Sequence, residues 1–323
     1  MRLAGNVFGH HSRWAHLNQC VHPWLPGLYP CTVVLILAAA ILAVPISGRA
    51  DTLYIVGSGG NIQGFDTATG ANLGVFADAP TGPWSPSGMA VDSAGDLFVA
   101  NQGNNTIEKF TPNGVGSVFA NTAEQPWALA FNSAGNLFVA SWSDTIQEFT
   151  PQGVGSIFAS NDLYLPLGIA FDSTGNLYAE NVEQEATEEF TPGGAGSLFS
   201  DTPAILDATG LAIDGAGNLY ETSGPGSALI KFLPNGVGSV FTTNGLADPW
   251  GAAFDSRGDL FVSNYGYIEE FASTGGTLST TGTVFATGVG GRNFIAIEIP
   301  EPSTCWLAVM ALPFLTFFRR LRR

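Results

Sequence analysis

Four tryptophans and two tyrosines lie in or beside the connections between strand-like segments in the central part of this 323-residue chain. Acidic and amide side chains occur in the same connections. Aromatic rings beside carboxylates and amides can stack on sugar rings and hydrogen-bond to sugar hydroxyls. We therefore take six residues as candidate ligand contacts: Trp84, Trp127, Trp142, Trp250, Tyr164 and Tyr265.

The rare residue types restrict the chemistry open to this region. Residues 51–299 contain no His or Cys, and they hold 26 acidic and four basic side chains, for a net charge of −22. This composition excludes Ser-His-Asp and Cys-His catalysis, a His or Cys metal site and an internal disulfide. It also predicts that nucleic acid is not a partner, because no basic patch exists to neutralise phosphates.

A sequence repeat positions these side chains. One phrase recurs at intervals of 40, 40, 42 and 41 residues, as AVDSAGDLFVAN at 90–101, AFNSAGNLFVAS at 130–141, AFDSTGNLYAEN at 170–181, AIDGAGNLYETS at 212–223 and AFDSRGDLFVSN at 253–264. A second phrase, of the type KFTPNGVGSVFA, follows each copy. Asp-Ser-x-Gly and Thr-Pro-x-Gly are turn sequences, so each unit predicts four short strands. Four strands in about 41 residues are typical of a β-propeller blade.

The ends of the repeat region set the number of blades. Five complete units span about 86–285. Before them, the strand-like segment at 53–56 and the two that follow it match the second to fourth strands of a unit whose first strand is missing. After them, the segment 294–297 matches a first strand that no further strands follow. The sequence therefore predicts an all-β, six-bladed β-propeller of four-stranded blades over 51–299, closed by strands from both termini. Such closure leaves no open edge between blades.

The repeated phrase resembles the NHL-repeat group of six-bladed propellers over nearly all of residues 51–299. The resemblance implies the fold and says little about function. NHL repeats often place Asp after the second strand of a blade. The equivalent residues here are Gly57, Asn101, Ser141, Asn181, Ser223 and Asn264. A charged central site is therefore not carried over from that group.

In this register the six aromatic residues share the face opposite the Asp-Ser-x-Gly turns. Trp127 and Trp250 each follow a proline at the start of a strand, so packing between blades is an alternative role for them. Trp84 and Trp142 are the stronger candidates for exposed contacts.

A metal site is a second candidate. Propeller lactonases of the gluconolactonase type bind a divalent metal near the channel mouth through Glu, Asn and Asp. By analogy with that architecture, Ca²⁺ or another divalent metal would be held near the axis by Asn101, Glu180, Asn181, Glu221 and Asn264. The alternative is a polar, water-filled channel without a cofactor.

Residues 1–50 have the features of an export signal. They contain no acidic residue, and the apolar run at 32–46 has the length of a signal-peptide core rather than of a membrane span. Small residues at 48–50 offer a cleavage point before Asp51. We assign residues 1–50 to a signal peptide that contains a hydrophobic helix. The basic region before this helix is long for a signal peptide, which suggests that translation starts further downstream. An uncleaved anchor is the alternative.

Residues 300–323 contain the motif Pro300-Glu301-Pro302, an apolar segment and an arginine-rich end at 319–323. This pattern resembles the PEP-CTERM sorting signal of Gram-negative bacteria that make exopolysaccharide. The resemblance implies a C-terminal membrane helix with cytoplasmic arginines, and an exosortase-type transpeptidase that cuts near the motif. The chain departs from the pattern in its short apolar run and in Pro313. A plain C-terminal anchor is the alternative.

These features predict an exported protein that is first anchored in the inner membrane and then placed at the cell surface or in the extracellular matrix. The leading hypothesis is a non-catalytic propeller that binds extracellular polysaccharide or an envelope protein through its tryptophan-bearing face. The alternative is a metal-dependent lactonase, lyase or hydrolase centred on Glu180 and Glu221.

Overall fold

The computed structural model describes residues 50–57, 59–200, 208–291 and 293–299, which form six four-stranded antiparallel sheets. We number these sheets as blades 1 to 6 and letter their strands a to d from the axis outward. Within these ranges, no helix has the length and apolar character needed to cross a membrane. The predicted hydrophobic helices at both termini lie outside the described residues.

The first three blades follow one another along the chain. Strands b, c and d of blade 1 are β1 (Thr52–Val56), β2 (Ile62–Asp66) and β3 (Asn72–Ala77). Blade 2 holds β4 (Pro86–Val91), β5 (Leu97–Asn101), β6 (Thr106–Phe110) and β7 (Gly116–Asn121). Blade 3 holds β8 (Pro126–Phe131), β9 (Leu137–Ser141), β10 (Thr145–Phe149) and β11 (Gly155–Ala159).

The remaining blades repeat this order with two additions. Blade 4 holds β12 (Pro166–Phe171), β13 (Leu177–Asn181), a single 3₁₀ turn (Val182–Gln184), β14 (Ala186–Phe190) and β15 (Gly196–Ser200). Blade 5 holds β16 (Ala208–Ile213), β17 (Leu219–Ser223), β18 (Ala228–Phe232) and β19 (Gly238–Thr242). Blade 6 holds β20 (Ala252–Phe254), β21 (Leu260–Asn264), β22 (Tyr267–Phe271), the small hairpin β23 (Ser273–Thr274) and β24 (Thr277–Leu278), and β25 (Thr283–Thr287).

The last strand closes the ring. β26 (Ile295–Glu298) pairs antiparallel with β1 as strand a of blade 1, so that Ile297 lies opposite Leu53. The prediction of six four-stranded blades closed by strands from both ends of the domain is confirmed. Because strand a of blade 1 comes from the far end of the domain, this pairing ties the two ends of the domain together within one blade.

The Asp-x-x-Gly turns between strands a and b form by the expected hydrogen bonds. Oδ1 of Asp92 accepts the backbone N–H groups of Ala94 and Asp96, both at 2.9 Å. Gly95 takes a φ of +80°, which a residue with a Cβ rarely adopts. These turns define one face of the ring, the turn face. The d-to-a connections and b-to-c loops define the opposite face, the connection face.

The hydrophobic core lies in layers between neighbouring blades. Phe98 on strand b of blade 2 packs edge-on against Phe119 and Phe131, with both pairs of ring centroids 5.0 Å apart. Aromatic residues at the same strand-b position form equivalent contacts in blades 3 and 6. Along strand b, alternate side chains face opposite neighbours, so a polar residue there must lie in one particular interface.

Strand a carries small residues because the six strands converge at the axis. A Cβ on Gly88 would clash with the carbonyl oxygen of Trp127, and one on Gly210 would clash with that of Trp250. The strands enclose an axial cavity of about 410 Å³ lined mainly by Gly, Ala, Met, Leu and Ile. The side chains that line it are therefore largely apolar, whereas a polar channel was the alternative to the metal site.

Candidate functional site

An aromatic cluster covers the axis on the connection face. The rings of Trp127 and Trp250, from opposite blades 3 and 6, lie 6.4 Å apart, and each lies 6.4 Å from the ring of Phe294 in front of β26. Trp142, just after strand b of blade 3, packs on Trp127 with ring centroids 5.4 Å apart. We call these four residues the aromatic cluster. Because Trp127 and Trp250 come from opposite blades, their contact spans the propeller axis at this end of the cavity.

Three of the predicted contact residues are exposed on this face. The exposed fractions are 48% for Trp142, 42% for Tyr164 and 67% for Tyr265. Trp127 and Trp250 are half-buried within the aromatic cluster, as their alternative packing role requires. The structure thus joins three of the four predicted tryptophans to Phe294, which the sequence did not single out.

Trp84 is not the exposed contact that the sequence suggested. Its ring is half-buried and lies edge-on to Phe110 at 6.4 Å, between blades 1 and 2. Its indole Nε1 donates a hydrogen bond to the carbonyl oxygen of Gly60 at 2.7 Å. The connection that carries Trp84 folds back onto the blade, which uses the ring for packing.

The three predicted asparagine ligands tie connections to strands. Oδ1 of Asn101 accepts the N–H of Ser85 at 3.0 Å, and its Nδ2 donates to the carbonyl of Pro83 at 3.0 Å. Asn181 bonds in the same way to the connection of blade 4, and Asn264 accepts from the connection of blade 6. The three amides lie in alternate blades, and the structure does not bring them together near the axis.

Glu180 and Glu221 do come together, in the interface between blades 4 and 5. Both side chains are fully buried, as is Thr187 between them. The hydroxyl of Thr187 lies 2.9 Å from Oε2 of Glu180 and 2.5 Å from Oε1 of Glu221. A hydroxyl has one hydrogen and can donate to only one carboxylate. The second contact therefore requires a proton on that glutamate.

The pKa values agree with this hydrogen count. Burial, reinforced by the charges of Glu221 and Glu185, raises the pKa of Glu180 well above its ordinary value, although the hydrogen bond from Thr187 opposes the shift. Burial raises the pKa of Glu221 to about 8. Two ionised carboxylates in a buried interface are strongly disfavoured when none of the described residues places a cation beside them, so the pair holds a proton at neutral pH.

Glu221 and Thr187 replace apolar residues at positions that the other blades keep apolar. The equivalents of Glu221 are Ile55, Val99, Val139, Ala179 and Val262. The equivalents of Thr187 are Ile62, Ile107, Ile146, Leu229 and Ile268. Thr187 was not among the predicted site residues, although a single Thr among five Ile or Leu residues at this position of strand c is a visible signal.

The arrangement offers few donors for a divalent metal. Oε1 of Glu180 and Oε2 of Glu221 have no hydrogen-bond partner within the described residues. With Thr187, the pair supplies fewer oxygens than the six to eight that Ca²⁺ takes. In the described part of the chain, no three His, Cys, Asp or Glu side chains gather as a metal site. A metal between the two glutamates stays a prediction.

The predicted sorting motif, Pro300-Glu301-Pro302, lies outside the described residues. The chain reaches it from β26, which runs along the axis towards the turn face, and Ile299 is exposed there. The last described residue is therefore on the face opposite the aromatic cluster.

Comparisons with known proteins identify the class of fold. A chain of a nidogen/laminin complex superposes with a TM-score of 0.67 at 16% identity, covering 78% of this chain and all of that one. A streptogramin B lyase gives 0.56 at 17% identity, covering 73% and 83%, and a gluconolactonase from Xanthomonas campestris gives 0.57 at 15%, covering 76% and 88%. At these identities the likeness shows a β-propeller fold alone.

Neither a family model nor a curated protein sequence matches the chain. The class that fold and comparisons define is thus the six-bladed β-propeller, whose members include both binding proteins and enzymes. The choice between those functions has to come from the side chains of this chain.

Proposed function

We propose that this protein is an exported, non-catalytic six-bladed β-propeller that binds extracellular polysaccharide through its connection face. The observation that carries the proposal is the position of Trp142. Its ring is half-exposed, and it packs on Trp127 within a cluster anchored in three blades. A fixed, exposed indole offers a flat apolar surface for a sugar ring at little cost in side-chain entropy.

The surroundings of Trp142 support a carbohydrate ligand over an envelope protein. Exposed carboxylates lie in the same connections and loops of blades 3 and 4 as the exposed rings of Trp142 and Tyr164, namely Glu124, Asp144 and Asp162. A protein-binding surface is expected to have a more apolar centre. Alternating rings and hydrogen-bonding groups suit a ligand whose faces are apolar and whose edges carry hydroxyls.

The route of the chain supports the proposed sorting. Under this proposal, an exosortase processes the PEP-CTERM-like tail after export, with the apolar segment as a temporary inner-membrane anchor. Because the chain leaves at Ile299 on the turn face, the aromatic cluster would point away from the attachment point. That orientation would leave the binding face free at the cell surface or in the extracellular matrix.

A metal-dependent lactonase, lyase or hydrolase is less well supported. Its two central carboxylates, Glu180 and Glu221, are sealed between blades, where no substrate can reach them without the interface opening. The enzyme alternative predicts a stoichiometric divalent metal and a higher melting temperature with Ca²⁺. Both effects should disappear in a Glu180→Gln, Glu221→Gln double variant if the site is real.

The test of the proposal is retention of the full chain, in mild detergent, on immobilised polysaccharides of several chemistries. We expect retention of the wild-type protein and of a Trp84→Phe control, and loss of retention in Trp142→Ala with an unchanged melting temperature. Equal retention of wild type and Trp142→Ala would overturn the assignment of the binding face. No retention on any polymer would overturn the proposed function.

A further inference from the structure

We infer that the polysaccharide bound at the connection face carries free amino groups, as partly deacetylated poly-N-acetylglucosamine does. This inference rests on the proposed function and deepens it by naming the ligand class. It is carried by the aromatic surface of Trp142 together with the charge of the residues that surround this ring.

Four chain segments form one continuous surface around Trp142. Its backbone N–H donates to the carbonyl of Gln125 at 3.2 Å, which joins the loop of blade 3 to the connection that carries Glu124. Oδ1 of Asp144 accepts the N–H of Leu165 at 2.7 Å, which joins the loop of blade 3 to the connection of blade 4. The N–H of Val182 donates to the carbonyl of Leu165 at 3.4 Å, which adds the loop at 182–185.

This surface holds five carboxylates, which we call the acidic patch: Glu124, Asp144, Asp162, Glu183 and Glu185. None of the five is in an ion pair within the described residues. Lys109 instead pairs with Asp96 at 2.6 Å, and Arg257 pairs with Asp255 at 2.6 Å, both on the turn face. Lys231 lies over the ring of Tyr220 in blade 5. Within the part of the chain that the structure describes, the charge of the acidic patch is therefore available to a ligand.

Two buried polar atoms near Trp142 have no hydrogen-bond partner within the described residues. The indole Nε1 of Trp127, whose ring packs on Trp142, has no acceptor within the described residues. Oγ of Ser141, the fully buried residue before Trp142, has no partner there either. A sugar hydroxyl that entered beside the Trp142 ring could accept a hydrogen bond from the indole N–H of Trp127 and donate one to Oγ of Ser141, groups that otherwise remain unpaired in a buried position.

The charge decides among the polysaccharide classes. A protonated amino sugar gains attraction to the carboxylates and to the face of an indole. A polyuronate is repelled by the same carboxylates, and a neutral glycan gains only the stacking and hydrogen-bond contributions. Attraction between exposed charges weakens as salt screens them, so binding of the amino polymer should fall as ionic strength rises.

The experiment measures binding of the full chain, in mild detergent, to chitosan, to its fully N-acetylated counterpart and to alginate, at low and at high salt. The test variant removes three charges from the acidic patch: Glu124→Gln, Asp144→Asn and Asp162→Asn. Asn at 144 keeps an oxygen that can accept from Leu165. The matched control makes the same charge change on the turn face: Asp92→Asn, Asp172→Asn and Asp214→Asn. Asn132 already holds the equivalent turn in blade 3, so the control should fold.

We expect chitosan to bind most tightly and alginate not at all. The acidic-patch variant should lose about tenfold in affinity for chitosan, since each exposed charge contributes a few-fold at most. The turn-face control should bind as the wild type does.

If the turn-face control loses as much affinity for chitosan as the acidic-patch variant, net charge alone explains the loss and the inference is overturned. Binding of the acetylated polymer as tightly as chitosan, with dependence on Trp142, would also overturn it while the proposed function stands. Binding to none of the three polymers would also overturn the inference. The retention assay on other polysaccharides, described under the proposed function, would then test whether the protein binds any polysaccharide.

Discussion

The ring of Trp142 packs on that of Trp127 with centroids 5.4 Å apart and planes inclined by 57°. Trp127 in turn contacts Trp250 from the opposite blade, so the exposed ring rests on a support that spans the propeller axis. This relationship distinguishes Trp142 from an isolated surface tryptophan, because its support belongs to the core of the ring.

The support of Trp142 gives a first prediction. Trp127→Ala should weaken polysaccharide binding severalfold, although Trp127 itself is half-buried, because it frees Trp142 to reorient. The same change should lower the free energy of unfolding by about 3 kcal/mol, as large-to-small changes at packed aromatic sites do. Calorimetric titration and urea unfolding measure the two effects. Full affinity in a folded Trp127→Ala protein would show that the stack does not position the binding ring.

Substitution of Trp84 should affect the stability of the protein and not its affinity for polysaccharide. Trp84→Ala removes a ring packed against Phe110 and a hydrogen bond to Gly60, so we expect a loss of about 3 kcal/mol in unfolding free energy. Trp84→Phe should recover part of that loss and leave the affinity for polysaccharide unchanged. Urea unfolding and retention assays separate the effects. A drop in affinity for Trp84→Phe without a change in stability would place Trp84 in the binding site.

The pair Glu180 and Glu221 predicts a dependence of stability on pH. A carboxyl whose pKa is raised in the folded protein keeps a proton that the unfolded chain releases above about pH 4.5. The free energy of unfolding should therefore fall as the pH rises from about 4.5 to about 8, by roughly 1.4 kcal/mol per pH unit for each proton involved.

Melting temperatures between pH 5 and pH 9 test this dependence. Glu180→Gln replaces one carboxyl with an uncharged donor and should flatten the curve. Asp172→Asn on the turn face is the control and should leave it unchanged. A wild-type protein whose stability rises over this range would contradict the assignment of a shared proton.

The proposed tail processing predicts two masses. In a host with the exosortase we expect a species that begins near Asp51 and ends near Pro300, and in a host without it a species that retains Arg323 in the membrane fraction. Intact-mass spectrometry of the fractions distinguishes them. A tail that persists in both hosts would leave a plain membrane anchor.

The architecture could be predicted because each blade repeats the same local signals. Asp92 and Gly95 illustrate this: the turn needs a capping oxygen and a positive φ, and both are visible in the sequence. Closure also followed, since the strand missing from blade 1 was available at 294–297. The turn chemistry does not reveal the small hairpin at 273–278, which is an insertion between strands c and d of blade 6.

The sites were less predictable because they depend on which way a side chain turns. Trp84 and Trp142 both lie in connections, yet one folds back onto Phe110 and the other faces solvent. Glu180 and Glu221 were expected near the axis. Their positions on strand b instead direct the two side chains towards each other across the interface between blades 4 and 5. Strand alternation explains this arrangement, but predicting it requires knowing which strand-b position faces which neighbouring blade.

Binding of an amino sugar on the Trp142 ring can be measured by a fluorescence titration of the full chain with a glucosamine oligosaccharide. Trp142 is the half-exposed indole of the aromatic cluster, so ligand stacking on it should give a saturable change in tryptophan emission. We expect this change to be retained in Trp84→Phe and lost in Trp142→Phe. A change that persists in Trp142→Phe, or no change in the wild-type protein, would contradict it.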